Sequence, residues 1–206
     1  ALKSEDAILI KGAGVNMKQF TPAPKTGVPS VMLIARMLRD KGIQEFIEAA
    51  KKVLTKNIQA RFILVGGLDE ANPTSFTKEQ LKEWSKVEGI EWLGKRNDVS
   101  ELLKQTHIAC LPSYREGLPK SLIEAAASGL PIVTTDTVGC REVVEDGVNG
   151  FLVPIKSVNP LAGALVKLIE NEELRLKMGE KSRQRAEKEF ANELVIEQTL
   201  KVYSSL

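Results

Sequence analysis

The chain has 206 residues, with 29 basic and 27 acidic side chains and one His, for a net charge of +2. At 43% apolar content, one domain of this size buries roughly 70% of its unfolded surface, so neither a disulfide nor a metal staple is required. The near-neutral balance excludes a broad cationic field for nucleic acid or a membrane surface, and no apolar run approaches the roughly 20 residues that span a bilayer.

The first 29 residues carry Gly12, Gly14, Pro22, Pro24, Gly27 and Pro29, and read as an irregular lead-in packing on the domain of residues 30–206. The opening Ala-Leu-Lys-Ser-Glu-Asp lacks the apolar segment of a signal peptide, so the chain reads as soluble as written. Short apolar runs follow at Ser30 to Arg36, Ala60 to Gly66, Ile90 to Gly94, Ile108 to Leu111 and Pro131 to Thr135. Each has the length of a strand buried on both faces. Between them, Ile43, Phe46, Ile47, Ala50, Val53 and Leu54 repeat at helical intervals, as do positions in Leu81 to Val87 and Leu122 to Ala127. Strand and helix alternate, which predicts an α/β domain with a doubly wound parallel sheet; Gly150 to Val153 is a further short strand at one edge. From Asn159 the chain turns helical, with Leu161, Leu165, Leu168 and Ile169 on one face. Asn171 to Phe190 then reads as a solvated charged helix, and a last amphipathic stretch runs through Ile196, Leu200 and Tyr203. Cys110 lies in an apolar run and Cys140 follows Gly139, a pattern of two reduced thiols that points to a reducing, cytoplasmic compartment.

Ligands of an open parallel sheet bind beyond the carboxyl ends of its strands. The segments there are Arg36 to Gly42, Gly66 to Glu70, Gly94 to Asp98, Pro112 to Lys120 and Thr134 to Gly139. The most informative is LPSYREGLPKSLIEAAA, Leu111 to Ala127, where a strand ends, a loop carries Ser113 and Glu116, and Pro119 falls in the expected first turn of a helix. The free N–H groups and positive dipole end of that helix suit an anion such as phosphate. Glu116 before it and Glu124 within it flank the anion position, and carboxylates accept hydrogen bonds from sugar or ribose hydroxyls. Either acid alone reads more readily as an ordinary solvated Glu; the pairing around Gly117 favours function. Arg36 and Lys41 follow the first strand, a guanidinium fork and a mobile point charge suited to a diphosphate.

Other chemistries are not encoded. No Asp-x-Asp pair or His/Cys cluster suggests a metal; Gly12-Ala13-Gly14 and Gly66-Gly67 fail the dinucleotide fingerprint; no Walker sequence or nucleophile elbow occurs. His107, alone at the start of a strand, reads as structural.

Glu116 and Glu124 form E-x7-E inside PSYREGLPKSLIEAAASGLPIVTTD, followed by GCREVVEDGVNGFLVP, and Arg36 and Lys41 occupy R-x4-K-G after the first strand. These motifs, with the lead-in ILIKGAGVNMKQF, resemble the carboxyl-terminal, donor-binding domain of a family 4 retaining GT-B glycosyltransferase, over roughly Ile8 to Leu206. The resemblance implies that Glu116 binds hydroxyls of the transferred sugar, Glu124 the ribose, and Arg36 and Lys41 the departing diphosphate. It implies that Gly117, Leu118, Lys120 and Ser121 contact phosphate and sugar through backbone groups, and that Gly94, Lys95 and Arg96 lie against the base. Thr134, Thr135, Asp136 and Glu142 match positions that shape the cleft. The donor implied is a UDP-sugar, bound without metal or other cofactor, and the acceptor a glycan or lipid-linked sugar. Pro119 stands where many members of the family have Gly, and lacks an N–H to donate. The resemblance also implies an amino-terminal, acceptor-binding domain that this chain lacks, on which the carboxyl-terminal helices would dock, so that the chain by itself is expected to be inactive. Any membrane association is expected to be peripheral and to reside in that other half. The rival readings are a noncatalytic nucleotide-sugar-binding or protein-interaction module and a sugar-nucleotide epimerase or phosphorylase of the same architecture.

Overall fold

The computed structural model describes residues 14–204. Six strands, β1 (Ser30–Ile34), β2 (Arg61–Val65), β3 (Ile90–Trp92), β4 (Ile108–Leu111), β5 (Ile132–Thr135) and β6 (Gly150–Val153), form one sheet in the order 3-2-1-4-5-6. Every pairing is parallel, with Val31 opposite Phe62 and Ile108, and Val133 opposite Phe151. The order reverses between β1 and β4, which places the divergence of connections, and hence the ligand crevice, over their carboxyl ends.

The helices are α1 (Ile43–Leu54), α2 (Lys78–Trp84), α3 (Val99–Lys104), α4 (Lys120–Ala127), α5 (Val138–Val143), α6 (Val158–Ile169), α7 (Glu172–Glu189) and α8 (Asn192–Ser204). Alternate strand residues serve opposite faces: Val31, Leu33, Phe62 and Leu64 enter the main core, while Met32, Ile63 and Val65 form a second cluster. The apolar stripe of α1, including Phe46 and Val53, is buried, and the helix packs on α6. The charged α7 keeps one buried stripe, Met178, Ser182 and Ala186 at four-residue spacing, and packs on α4; Gly179 is needed there because a Cβ would meet the Gly129 carbonyl oxygen at 2.3 Å. In the lead-in, Val15 and Phe20 are buried in the main core, and Val15 N–H donates to the Phe190 carbonyl at 2.8 Å. Gly12 and the rest of residues 8–13, the start of ILIKGAGVNMKQF, lie outside the described residues.

Three helix expectations need correction. The helix expected around Leu81 to Val87 begins at Lys78, because Thr77 and Gln80 form a reciprocal capping box: Gln80 N–H donates to Thr77 Oγ1 at 3.2 Å and Thr77 N–H to Gln80 Oε1 at 2.9 Å. The sequence pattern does not predict α3 and α5, since six residues give less than two turns of periodicity. Pro119 is the N-cap of α4, not a member of its first turn; its carbonyl accepts from Leu122 and Ile123 N–H at 3.0 and 3.2 Å. Both cysteines are free thiols and buried, and burial pushes the Cys110 thiol well above its ordinary range. Among the described residues no helix is long and apolar enough to cross a membrane.

Candidate active site at the carboxyl edge of the sheet

Two loops meet over the carboxyl ends of β1 and β4. After β1 the chain makes a short 3-10 turn, Arg39–Lys41, that ends at Gly42 with φ of 70°. A Cβ at Gly42 would lie 2.0 Å from the Pro112 carbonyl oxygen, so both the left-handed backbone and the close approach to the β4 loop require glycine. The loops are stitched at one acceptor: the Asp40 carbonyl receives Tyr114 N–H at 2.8 Å and Ser113 Oγ–H at 3.1 Å. Tyr114 also donates its hydroxyl to Glu45 Oε1 on α1 at 2.6 Å; burial and this acid together raise the phenol far above its usual range.

This docking brings Lys41 and Glu116 together. Lys41 Nζ donates to Glu116 Oε1 at 2.8 Å, and the two side chains are 17% and 14% exposed, a cation and a carboxylate held at the mouth of the crevice. Behind the acidic loop stands α5, where a Cβ on Gly139 would lie 2.2 Å from the Gly117 carbonyl oxygen and 2.5 Å from that of Glu116. Gly117 itself faces open space, with nothing within 4 Å of a Cβ. The loop then enters α4, whose leading N–H groups at Lys120 and Ser121 precede the first helical bond, from Leu122. Glu124 lies one turn into α4, with Lys120 Nζ at 3.8 Å; burial raises its carboxyl above the ordinary range, and Lys120 offsets part of that.

Arg36 is not gathered with Lys41. Its guanidinium is 65% exposed and pairs with Asp69 after β2 at 2.7 Å. Asp69 lies in the Gly66 to Glu70 segment beyond β2, but no feature of the sequence points to it as the Arg36 partner. After β3, Gly94 has φ of 68° with open space before it, and Arg96 pairs with Asp98, with Nε to Oδ1 at 2.8 Å; this bond raises the Arg96 value and lowers that of Asp98. Lys95 packs its stem near Gly67. Thr134 and Thr135 are buried: their hydroxyls donate to the carbonyls of Leu111, at 2.6 Å, and of Ser113, tying β5 to the β4 loop. Asp136 pairs with Arg141 at 2.7 Å, and the Glu142 carbonyl accepts from Arg185 at 3.2 Å. Leu118 is partly buried against the main core. Among the described residues no group of three or more His, Cys, Asp or Glu side chains is gathered to hold a metal.

A six-stranded parallel sheet in this order, with a basic loop after β1 docked on an acidic loop that opens a helix after β4, defines a Rossmann-like domain with the fold of a GT-B half. Residues 17–185 match the family described as Glycosyl transferases group 1, and the chain belongs to that family. It is 35% identical, over 98% of its length and 55% of the relative's, to the N,N'-diacetylbacillosaminyl-diphospho-undecaprenol alpha-1,3-N-acetylgalactosaminyltransferase of Campylobacter jejuni. It matches the solved C-terminal domain of a glycosyl transferase group 1 family protein from Francisella tularensis with a TM-score of 0.76 at 26% identity, over 87% of this chain and all of that one. Anabaena HepE, solved in complex with UDP and glucose, shares the fold with a TM-score of 0.81 at 23% identity, over 94% of this chain and 56% of that one. The chain spans about half the length of the curated relatives it matches.

Proposed function

We propose that this chain is the donor-binding domain of a retaining glycosyltransferase that moves a hexosyl or N-acetylhexosaminyl group from a UDP-sugar to a glycan or lipid-linked acceptor. The observation that carries this reading is the Lys41–Glu116 pair, which holds a cation for phosphate and an acceptor for sugar hydroxyls 2.8 Å apart beside the start of α4. The relative from Campylobacter, whose name specifies N-acetylgalactosaminyl transfer to a diphospho-undecaprenol acceptor, and the UDP bound in HepE support the choice of donor and acceptor class.

In this reading Lys41 and Arg36 grip the diphosphate while the Lys120 and Ser121 N–H groups, aided by the α4 dipole, take phosphate oxygens. Backbone groups of Gly117 and Leu118 complete the contacts to phosphate and sugar. Glu116 accepts from hydroxyls of the sugar, Glu124 from the ribose, and the Gly94-Lys95-Arg96 turn lies against the base. As the bond from the anomeric carbon to the diphosphate breaks, negative charge grows on the departing oxygen. Cations and N–H dipoles stabilise it, each donor lowering the barrier by roughly 3 kcal/mol. Arg36 and Lys41 supply that positive charge, so the reaction runs without a divalent metal. The acceptor wall belongs to an amino-terminal domain, and the enzyme works at the cytoplasmic side, reaching lipid-linked acceptors by peripheral association.

Calorimetric titration of the chain with UDP and UDP-sugars in a metal chelator tests this. Saturable binding is expected, weakened at least about tenfold, or about 1.4 kcal/mol, by Lys41→Ala and by Arg36→Ala. Equal affinity in both variants, or no binding of UDP by the parent, overturns the reading and leaves a noncatalytic interaction module.

A further inference from the structure

A cavity of about 300 Å³ lies at the opposite end of the sheet from the nucleotide crevice, where β4 and β5 begin, bounded by the lead-in, the Gly129–Pro131 turn and α7. Its walls are apolar, including Pro22, Leu130 and Leu176, the last an exposed leucine on the surface of α7. Its buried and half-buried polar groups are donors, with the exposed Glu172 acting electrostatically on Arg175 and His107. His107 is only 6% exposed; its Nδ1 accepts Ser30 N–H at 3.2 Å, so the neutral ring carries its proton on Nε2, which has no acceptor among the described residues. Lys25 donates two protons to the Leu103 and Lys104 carbonyls, at 3.0 and 2.6 Å, and keeps a third. Arg175 gives Nη1 to the Leu168 and Ile169 carbonyls, at 2.7 and 2.8 Å, leaving Nε and Nη2 without a partner there. Arg183 gives Nε to Glu187 and Nη1 to the Phe20 and Ala127 carbonyls. The two acids of the lining, Glu172 and Glu180, are solvent-exposed, whereas the donors are buried or half-buried.

The half-buried ammonium of Lys25 has carbonyl partners but no salt bridge to a carboxylate among the described residues, and burial lowers it to about 8. Half-buried cations and an unpartnered imidazole N–H beside apolar walls form a site complementary to a ligand that brings both acceptors and carbon.

We propose that this cavity is a second ligand site, separate from the nucleotide crevice, for a small organic oxyanion, a carboxylate or a phosphate monoester. Its charged head lies among Lys25, His107 Nε2 and Arg175, and its apolar part lies against Pro22, Leu130 and Leu176.

The chain has one His, so the ring resonances of His107 report the site directly by NMR. Titration with benzoate and with phenyl phosphate is expected to shift them saturably, with a Kd at or below about 1 mM for at least one of the two. The anion that binds identifies the head group. Benzyl alcohol, the neutral control, is expected to bind at least about tenfold more weakly, as are the anions to Lys25→Gln and Arg175→Gln. UDP affinity is expected to be unchanged in both variants, which separates this site from the proposed function. Absence of a saturable shift with either anion, or equal binding of benzyl alcohol, overturns the proposal; the alcohol comparison uses the unmodified protein and holds even if Arg175→Gln fails to fold.

Discussion

Gly139 offers the sharpest test of how the acidic loop is positioned. Replacing it with Ala places a methyl group 2.2 Å from the Gly117 carbonyl oxygen and 2.5 Å from that of Glu116, so the contact must open by about 1 Å to reach van der Waals separation. Both obstacles are backbone atoms, which cannot rotate away. Ala is also a better helix former than Gly by about 1 kcal/mol, and that gain is realised only if the loop moves freely. Overpacking of this kind costs about 1–3 kcal/mol, and a net loss of about 1–2 kcal/mol lowers Tm by about 3–6 °C in a domain of this size. The loop that yields carries the Gly117 and Leu118 backbone groups assigned to phosphate as well as Glu116, so UDP affinity is expected to fall about tenfold, and transfer by the full-length enzyme by up to about 100-fold for a 1 Å displacement. Gly117→Ala is the control, since its Cβ meets nothing within 4 Å; its stability should stay within about 0.5 kcal/mol of the parent. Thermal melts and UDP titrations of both variants decide the matter. A Gly139→Ala protein that melts at or above the parent temperature and binds UDP equally would refute the claim that this glycine sets the loop.

Tyr114→Phe removes the hydroxyl that donates to Glu45, whose second oxygen is already buried without a partner, and is expected to cost about 1–2 kcal/mol in urea unfolding. Glu124 has a carboxyl raised in the folded state, so its folded form favours the proton: that contribution to stability is present below the unfolded value and lost as pH rises through the folded one. Glu124→Gln is therefore expected to match or exceed the parent in stability at pH 7, with the advantage vanishing in acid, as read by melts across pH. Asp69→Asn frees Arg36 from its pair and is expected to raise UDP affinity by up to about fivefold at low salt, with the gain shrinking at high salt; weaker binding would show that Asp69 positions Arg36 for the ligand.

The sheet was legible because strands buried on both faces read as unbroken apolar runs. Ile108–Leu111 and Gly150–Val153 have the observed limits, and the other four are trimmed by one or two residues at their ends. Helices α1 and α4 announced themselves through buried positions at three- and four-residue spacing. Helices α3 and α5, at six residues each, are fixed by what surrounds them rather than by pattern. The site was legible as segments and not as pairs. Chain order and the topology of parallel sheets indicate which loops meet, but nothing local to Arg36 tells that Asp69, 33 positions away, holds it, or that Lys41 meets Glu116 across 75 positions. Gly139 was equally silent: its requirement comes from carbonyl groups more than twenty residues earlier, and a glycine beginning a short helix looks locally like a poor choice.

These pairings bear on how the crevice accepts an anion. Arg36, Lys41, Lys120 and Arg96 each already face a carboxylate, so on the proposed function a diphosphate would exchange partners with them rather than meet bare charge. The exchanges differ in cost. The Arg36–Asp69 pair is 65% and 27% exposed, within the range where ion pairs contribute about 0–1 kcal/mol, and a guanidinium on a long stem leaves it easily. The Lys41–Glu116 pair is 17% and 14% exposed, and separating it would strand a poorly solvated carboxylate. The ammonium, with three protons, need not release Glu116 to bind phosphate: one N–H can stay on Oε1 while the others turn to the ligand. On the proposed function, Lys41 would serve as a fixed bridge that keeps Glu116 oriented beside the phosphate, and Arg36 as the mobile clamp that closes on it.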